Sequence, residues 1–183
     1  MTDRVKLDAA ALRVLAHPMR LNLLEHLRRH GPATARQLAA QFELDSGAAS
    51  YHLRRLAVGG LIHEDTGRGN RRDRWWRATH EQSVHDPTSL PDEQAASREY
   101  TQAVVTSYAE RLRQVAGQVP VLSEEWFNAS VFSDHALRLT AAGLEELKHE
   151  LHEVIARHAA ETQSTEDAAT VIVGLQAYPL WTD

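Results

Sequence analysis

The sequence predicts a mainly helical fold with a small β component, and three observations carry this prediction. Residues 34–78 read as helix, tight break, helix, strand, arginine-rich loop and strand. Charge is divided along the chain, because residues 1–80 hold 14 Arg/Lys and 8 Asp/Glu, whereas residues 81–183 hold 6 and 17. Two long amphipathic segments follow in the acidic half. Together they predict an N-terminal winged helix-turn-helix followed by a C-terminal α+β region with a long helix.

Composition narrows the class of protein. The chain has 183 residues, of which 43% are apolar, so wholesale disorder is excluded. The absence of cysteine excludes disulfides and thiolate metal sites. No apolar run matches a signal peptide or a membrane span, and we therefore expect a cytoplasmic protein with no membrane partner. A basic half joined to an acidic half is typical of a nucleic-acid-binding module attached to a part with another role.

Two helices are predicted at the start of the chain. Asp8 can cap a first helix that runs to about His17, and Pro18 fits the first turn of a second helix because its missing N–H costs nothing there. Gly31 can end that helix. Its apolar residues recur at helical spacing and are Leu21, Leu23, Leu24 and Leu27.

The helix-turn-helix itself begins at Thr34, a plausible N-cap for a third helix over about 35–42. After the break at 43–45, Asp45 or Ser46 caps a fourth helix over 46–58. The inward stripe of this fourth helix is predicted to consist of Ala49, Leu53 and Leu56.

A hairpin follows the fourth helix. Leu61–Asp65 is a predicted strand, 66–72 is a basic loop with two glycines suited to positive φ, and Asp73–Ala78 is the return strand. We interpret the loop 66–72 as the wing.

The remaining elements set the predicted domains. Residues 92–117 form a long helix, 129–140 contain one or two strands, 141–161 form a helix capped by Thr140, and 170–177 form a last strand.

This organisation divides the chain into three parts. They are a DNA-binding domain at 1–80, a linker at 81–91 and a dimerisation and effector domain at 92–183.

Three segments in order resemble the ArsR-type (arsenic-repressor-like) winged-helix transcriptional regulators. They are His17-Pro18-Met19-Arg20-Leu21, Ser50-Tyr51-His52-Leu53-Arg54-Arg55-Leu56 and Gly60-Leu61-Ile62, and the resemblance covers about residues 8–80. It implies DNA binding and a homodimer. Glu43 stands where the family often has glycine, Ala49 replaces its β-branched residue, and the cysteine metal signature of the third helix is missing. The resemblance therefore gives no support to thiolate metal sensing.

The fourth helix carries the predicted contacts to DNA. Its first residues are small or polar, which lets the backbone approach phosphates and base edges, and Arg54 can pair bidentately with guanine. The basic loop suits phosphate contact or insertion into the minor groove. The complete predicted set is Thr34, Ser46, Gly47, Ala48, Ser50, Tyr51, His52, Arg54, Arg55, Arg68, Asn70, Arg71, Arg72 and Arg74.

Dimerisation is predicted through the long helix 92–117. A two-fold dimer places two recognition helices about one DNA turn apart and predicts a near-palindromic operator. The alternative is that this apolar face packs within its own chain. The predicted dimer contacts are Tyr100, Val104, Tyr108 and Leu112.

Two further sites are considered in the acidic half. Its aromatic residues can line a pocket for a small-molecule effector or form an ordinary core, and they are Trp126, Phe127, Phe132, Tyr178 and Trp181. His149 and His152, three residues apart on a helix, can hold zinc or nickel, or lie on a solvated acidic face. We expect no metal and no other cofactor.

These patterns predict a homodimeric, sequence-specific DNA-binding transcriptional regulator, a repressor rather than an activator, without catalytic activity. One alternative is hydrolysis by Ser133 and His135, but no nucleophile elbow, phosphate loop or His-Glu-x-x-His sequence accompanies them. Another is a winged helix that docks a protein partner instead of DNA.

Overall fold

The computed structural model describes residues 4–70, 73–85, 91–161 and 168–180. The chain folds into two compact units, Met1–Phe127 and Asn128–Asp183. The long helix lies in the first unit, whereas the sequence placed it in the second domain. The reason is that it packs against the first two helices of the chain.

The first unit contains most of the secondary structure. Its elements are β1 (Arg4–Lys6), α1 (Ala9–Leu15), α2 (Pro18–His30), β2 (Ala33–Thr34), α3 (Ala35–Gln41), α4 (Ser46–Val58), β3 (Ile62–Asn70), β4 (Asp73–Ala78), β5 (Gln82–Val84), α5 (Pro91–Gln118) and a 3-10 turn at Val119–Val121. Two further helices are α6 (Glu124–Ala129) and α7 (Ala141–Glu161). The mainly helical fold with an N-terminal winged helix-turn-helix is confirmed.

Side chains cap the helices where the sequence predicts. Asp8 Oδ1 accepts a hydrogen bond from the Ala11 N–H at 2.8 Å, and Asp45 Oδ1 accepts one from the Ala48 N–H at 2.8 Å. Pro18 opens α2, and Gly31 caps its end with a φ of 82°. Each cap satisfies backbone groups that a helix end leaves without partners, and this fixes the helix boundaries.

Leucine side chains from α1, α2, α3 and α4, with Ile62 of β3, form the core of the first unit. Side chains at these positions are at most 2% exposed, and they remove a large apolar area from water. The fully buried members are Leu12, Leu15, Leu23, Leu24, Leu27, Leu38, Leu53, Leu56 and Ile62.

Small residues bring α5 against α1 and α2. Ala96, Ala103 and Ser107 are at most 5% exposed on this face, and the Ser107 hydroxyl donates a hydrogen bond to Asn22 Oδ1 at 2.6 Å. Small side chains let helix axes approach closely. The sequence pattern indicates the large apolar residues of this helix but not the small ones.

This packing involves residues that the sequence predicts as dimer contacts on α5. Tyr100 and Val104 pack against the core of their own chain, and Tyr108 is partly buried. Leu112 is 55% exposed. In the first half of the predicted stripe, the alternative of packing within the chain is therefore the one observed.

Two small sheets complete the first unit. The antiparallel sheet has the order β2-β4-β3 and contains the wing, and Trp76 of its central strand is 7% exposed. The other sheet pairs β1 with β5 in parallel, with Val5 opposite Ser83. Since β5 lies in the predicted linker 81–91, part of that segment is structured.

The second unit differs in burial from the first. Among its described residues, 128–161 and 168–180, no residue is buried. The helix predicted at 141–161 is confirmed, with the Gly143 N–H donating to Thr140 Oγ1 at 3.1 Å. The strands predicted at 129–140 and 170–177 are wrong in the described structure, because neither segment has a strand to pair with.

Candidate nucleic-acid interface

The turn between α3 and α4 sets the angle of the candidate recognition helix. Phe42 ends α3, Glu43 takes a left-handed conformation with a φ of 53°, and the Leu44 N–H donates to the Ala39 carbonyl at 2.8 Å. This is the geometry that glycine adopts most easily at a helix end. Glu43 therefore preserves the turn at a cost of about 1 kcal/mol.

The inward stripe of α4 fixes which residues face outward. Ala49, Leu53 and Leu56 are each 0% exposed, as the sequence predicts. Because residues of a helix share a face at spacings of three and four, the opposite face is presented to solvent.

The outward face of α4 is small at its start and basic further along. Ser46 and Gly47 are exposed, and Tyr51 is 55% exposed. A side chain at Gly47 would come within 3.1 Å of Asp45 Oδ1, the oxygen that caps the helix. Ala48, Ser50 and His52 are partly buried, whereas Arg54 and Arg55 are exposed. The helix Ser46–Val58 has no carboxylate, so its field favours an anionic partner.

Thr34 does not lie on this surface. It is 5% exposed, its hydroxyl accepts a hydrogen bond from the Gln37 N–H at 3.2 Å, and Gln37 Oε1 accepts one from the Thr34 N–H at 2.8 Å. This reciprocal capping box uses the polar groups of Thr34 at the start of α3. The prediction that Thr34 contacts DNA is therefore corrected to a structural role.

The wing is more extended than predicted, since β3 continues to Asn70. Arg71 and Arg72 lie outside the described residues, and the side chain of Asn70 does as well. The arginines Arg68 and Arg74 have side chains 57% and 67% exposed.

Carboxylates of β3 form ion pairs with arginines of the β3–β4 hairpin, which the sequence pattern did not indicate. Asp65 Oδ2 lies 2.9 Å from Arg77 and 3.8 Å from Arg68, and Glu64 Oε2 lies 3.5 Å from Arg74. Glu64 and Arg74 are both exposed, and an exposed ion pair contributes about 0–1 kcal/mol. Arg74 can therefore exchange its carboxylate for a phosphate at small cost.

The start of α2 adds basic groups beside α4 that the sequence analysis read only as a helix start. The rings of His17 and His52 lie 4.7 Å apart. Burial and the charges of Arg20 and other neighbours lower the pKa of both histidines, and burial and Arg55 lower the pKa of Arg20. The Pro-x-Arg motif contains Arg20, but the residues of α4 that Arg20 approaches lie about 30 residues further along the chain.

The structure describes four of the five aromatic residues that the sequence predicts to line an effector pocket. Trp126, Phe127, Phe132 and Tyr178 are 37–71% exposed, and Trp181 lies outside the described residues. The first unit does contain an open cavity of about 460 Å³ beside α2, β5 and α5. Its lining includes Leu15, Leu24, Glu25, Arg28, Tyr100 and Tyr108.

The histidine pair considered for a metal lies on the exposed side of α7. His149 Nε2 is 3.4 Å from Glu153 Oε1, and His152 Nδ1 donates to the Lys148 carbonyl at 2.7 Å. In the described ranges, no group of three or more His, Cys, Asp or Glu side chains is arranged to hold a metal ion.

The pair considered for hydrolysis is also at the surface. Ser133 Oγ and His135 Nε2 are 3.5 Å apart, and both residues are exposed. This separation is long for a hydrogen bond that activates a nucleophile. The pair gives no support to a catalytic role.

In the part of the chain that the structure describes, the helices are too short or too polar to cross a lipid bilayer.

Comparisons with known proteins bear on the same segment. Residues 15–65 match a family model described as a helix-turn-helix domain. The matched range contains α2, α3 and α4, and it supports assignment as a DNA-binding transcriptional regulator. No curated protein matches the chain. A solved structure of a MarR family regulator from Neisseria meningitidis is similar over 78% of each chain, at 17% identity and a TM-score of 0.32.

Proposed function

We propose that this protein is a homodimeric, sequence-specific DNA-binding repressor of transcription with a near-palindromic operator. In this proposal α4 enters the major groove, and the hairpin of β3 and β4 contacts the neighbouring backbone or minor groove. Repression is the sign of regulation that the resemblance to arsenic-repressor-like regulators supports. An effector is part of the proposal only as an unidentified small molecule.

One observation carries the assignment to DNA: a helix whose apolar stripe is 0% exposed offers solvent a face with two exposed arginines and no carboxylate. Its narrow start, with Ser46 and Gly47, suits close approach of the backbone to phosphate and base edges. Arg54 is exposed further along the helix and has the reach and fork geometry to pair with guanine.

A protein-docking role for the winged helix is the weaker alternative. A helix that docks a protein groove presents an apolar outer face. On α4, the exposed large apolar side chains are those of Tyr51 and Val58, and exposed arginines lie between them. A metal-responsive regulator that uses His149 and His152 remains a second alternative, without a third ligand among the described residues.

The homodimer is supported by the second unit. On α7, Leu144 and Leu147 are partly exposed, while Leu151 and Val154 are 37% and 42% exposed on the same face. Isolated soluble chains rarely present apolar stripes of this kind to water. An identical stripe on a second copy matches it in chemistry, as a two-fold interface requires.

Replacing Arg54 with alanine should weaken binding to the operator by about 1–3 kcal/mol, because a bidentate contact to a base is lost. The operator is first obtained by selecting bound duplexes from a random pool. Fluorescence anisotropy then gives the affinity of the parent and the variant for the selected duplex and for unrelated duplexes. Discrimination between the two should decrease together with affinity.

Arg98→Ala is the matched control, since Arg98 is exposed on α5, a helix that packs against α1 and α2. It should bind like the parent. Equal affinity and equal discrimination for Arg54→Ala and the parent would contradict the proposed reading of bases by α4.

A further inference from the structure

Four basic or titratable side chains meet where the start of α2 faces α4. We call His17, Arg20, His52 and Arg55 the His–Arg cluster. The His17 and His52 rings are 4.7 Å apart, and Tyr51 meets His52 edge to face at 5.5 Å. Arg20 interacts electrostatically with both histidines and with Arg55.

Two polar atoms of the cluster are buried without a hydrogen-bond partner. Arg20 Nε and His52 Nδ1 are buried atoms with no hydrogen-bond partner among the described residues. A buried polar atom without a hydrogen-bond partner destabilises the fold, and such atoms are rare in proteins. Neither Arg20 nor Arg55 has an ion-pair partner in the described part of the chain. The site therefore lacks a counter-charge.

The Nδ1 atoms of the two imidazoles differ in their hydrogen bonding. His17 Nδ1 accepts a hydrogen bond from the Met19 N–H at 3.2 Å and thereby caps α2. Its single proton then lies on Nε2, which makes neutral His17 a donor. In contrast, Nδ1 of His52 makes no hydrogen bond to a described residue. His52 is therefore the ring that can take up a proton without breaking a cap.

We propose that the His–Arg cluster binds a backbone phosphodiester of DNA, and that this binding takes up a proton at His52. The inference rests on the proposed DNA-binding function and adds a site beside the recognition helix, with a dependence on pH. Arg20 and Arg55 supply the permanent positive charge, and neutral His17 donates from Nε2.

The sign of the pH dependence follows from the charges that face His52. In the free protein, burial, His17 and Arg20 lower the pKa of His52, so the ring is neutral near pH 7. The charged groups packed around it are Arg20 and, through Arg20, Arg55, and the other titratable groups are His17 and Tyr51. A phosphate adds negative charge and raises the pKa of His52 in the complex. The complex then holds more protons than the free partners, and binding strengthens as pH falls.

The test measures histidine titration and affinity in the full-length protein. NMR of the His52 ring protons across about pH 5 to 8 should give a higher pKa with a random-sequence duplex than without it. Fluorescence anisotropy should show that affinity for the duplex falls as pH rises. Between the His52 pKa of the free protein and that of the complex, the fall should be up to about tenfold per pH unit. His52→Gln should largely abolish the cluster's contribution to that dependence.

His30→Gln is the matched control, because His30 is exposed at the opposite end of α2. In this variant the titration of His52 and the affinity for the duplex should match those of the parent. DNA binding that is the same at pH 5 and pH 8, or an unchanged pKa of His52 in the complex, would overturn this inference and leave the proposed function intact. A rise in the pKa with inorganic phosphate but none with the duplex would also overturn it. No binding to the duplex at any pH would overturn both.

Discussion

Replacing Leu53 with alanine should lower the free energy of unfolding by about 2–5 kcal/mol, because its side chain is fully buried and would leave a cavity. Leu53 lies on the inward stripe of α4, which packs against α2 and α3. Typical domains are stable by about 5–15 kcal/mol, so this change removes a large fraction of the total. Urea denaturation followed by circular dichroism measures the loss.

The same helix offers a matched control for this variant. Val58 is 81% exposed, and Val58→Ala should change stability by no more than about 0.5 kcal/mol. Equal losses for Leu53→Ala and Val58→Ala would contradict the orientation of α4, and with it the face that is proposed to meet DNA.

The second large effect is expected on the apolar stripe of α7. The double variant Leu151→Asp, Val154→Asp should convert the proposed dimer into a monomer, because a symmetric interface would bury four new carboxylates without partners. Loss of the second half-site should reduce operator affinity by about a hundredfold or more. Analytical ultracentrifugation and fluorescence anisotropy measure the two consequences.

Ala156→Asp separates loss of the interface from loss of helix stability. Ala156 is exposed on the opposite side of α7 and receives the same acidic side chain. This control should remain dimeric and bind the operator like the parent. A double variant that stays dimeric would contradict the role of the stripe, as would a parent that is monomeric at micromolar concentration.

Local signals explain why the helix-turn-helix could be predicted. Caps such as Asp8 and Asp45, the proline at the start of α2 and the leucine periodicity all act within a few residues. Such features set helix boundaries through hydrogen bonds between near neighbours in the chain. Even Glu43 keeps the left-handed turn that the sequence put in doubt.

Non-local contacts explain most of the errors. Parallel pairing of β5 with β1 joins residues about 80 positions apart, and nothing within the linker segment signals it. The close approach of α5 uses Ala96, Ala103 and Ser107, whose small side chains carry little hydrophobic signal. The alternation of apolar residues in 170–177 is typical of a strand, yet a strand forms only where another strand pairs with it.

The candidate site shows the same division. The outward face of α4 follows from helical periodicity, so exposed Tyr51, Arg54 and Arg55 were predictable. The capping role of Thr34 was also predictable from neighbouring residues. Its burial was not predictable, and a buried Thr34 does not offer the DNA contact that the sequence predicts. The approach of Arg20 to the recognition helix depends on packing of α2 against α4, which the sequence pattern does not specify.

The N-terminal unit is proposed to bind the DNA backbone with its basic surface. Fluorescence anisotropy of the full-length protein with a random-sequence duplex, between about 50 mM and about 200 mM salt, tests it most directly. We predict measurable binding at low salt whose logarithm falls linearly with the logarithm of salt concentration, losing at least about a hundredfold across this range. No binding at low salt, or an affinity that salt leaves unchanged, would contradict the claim.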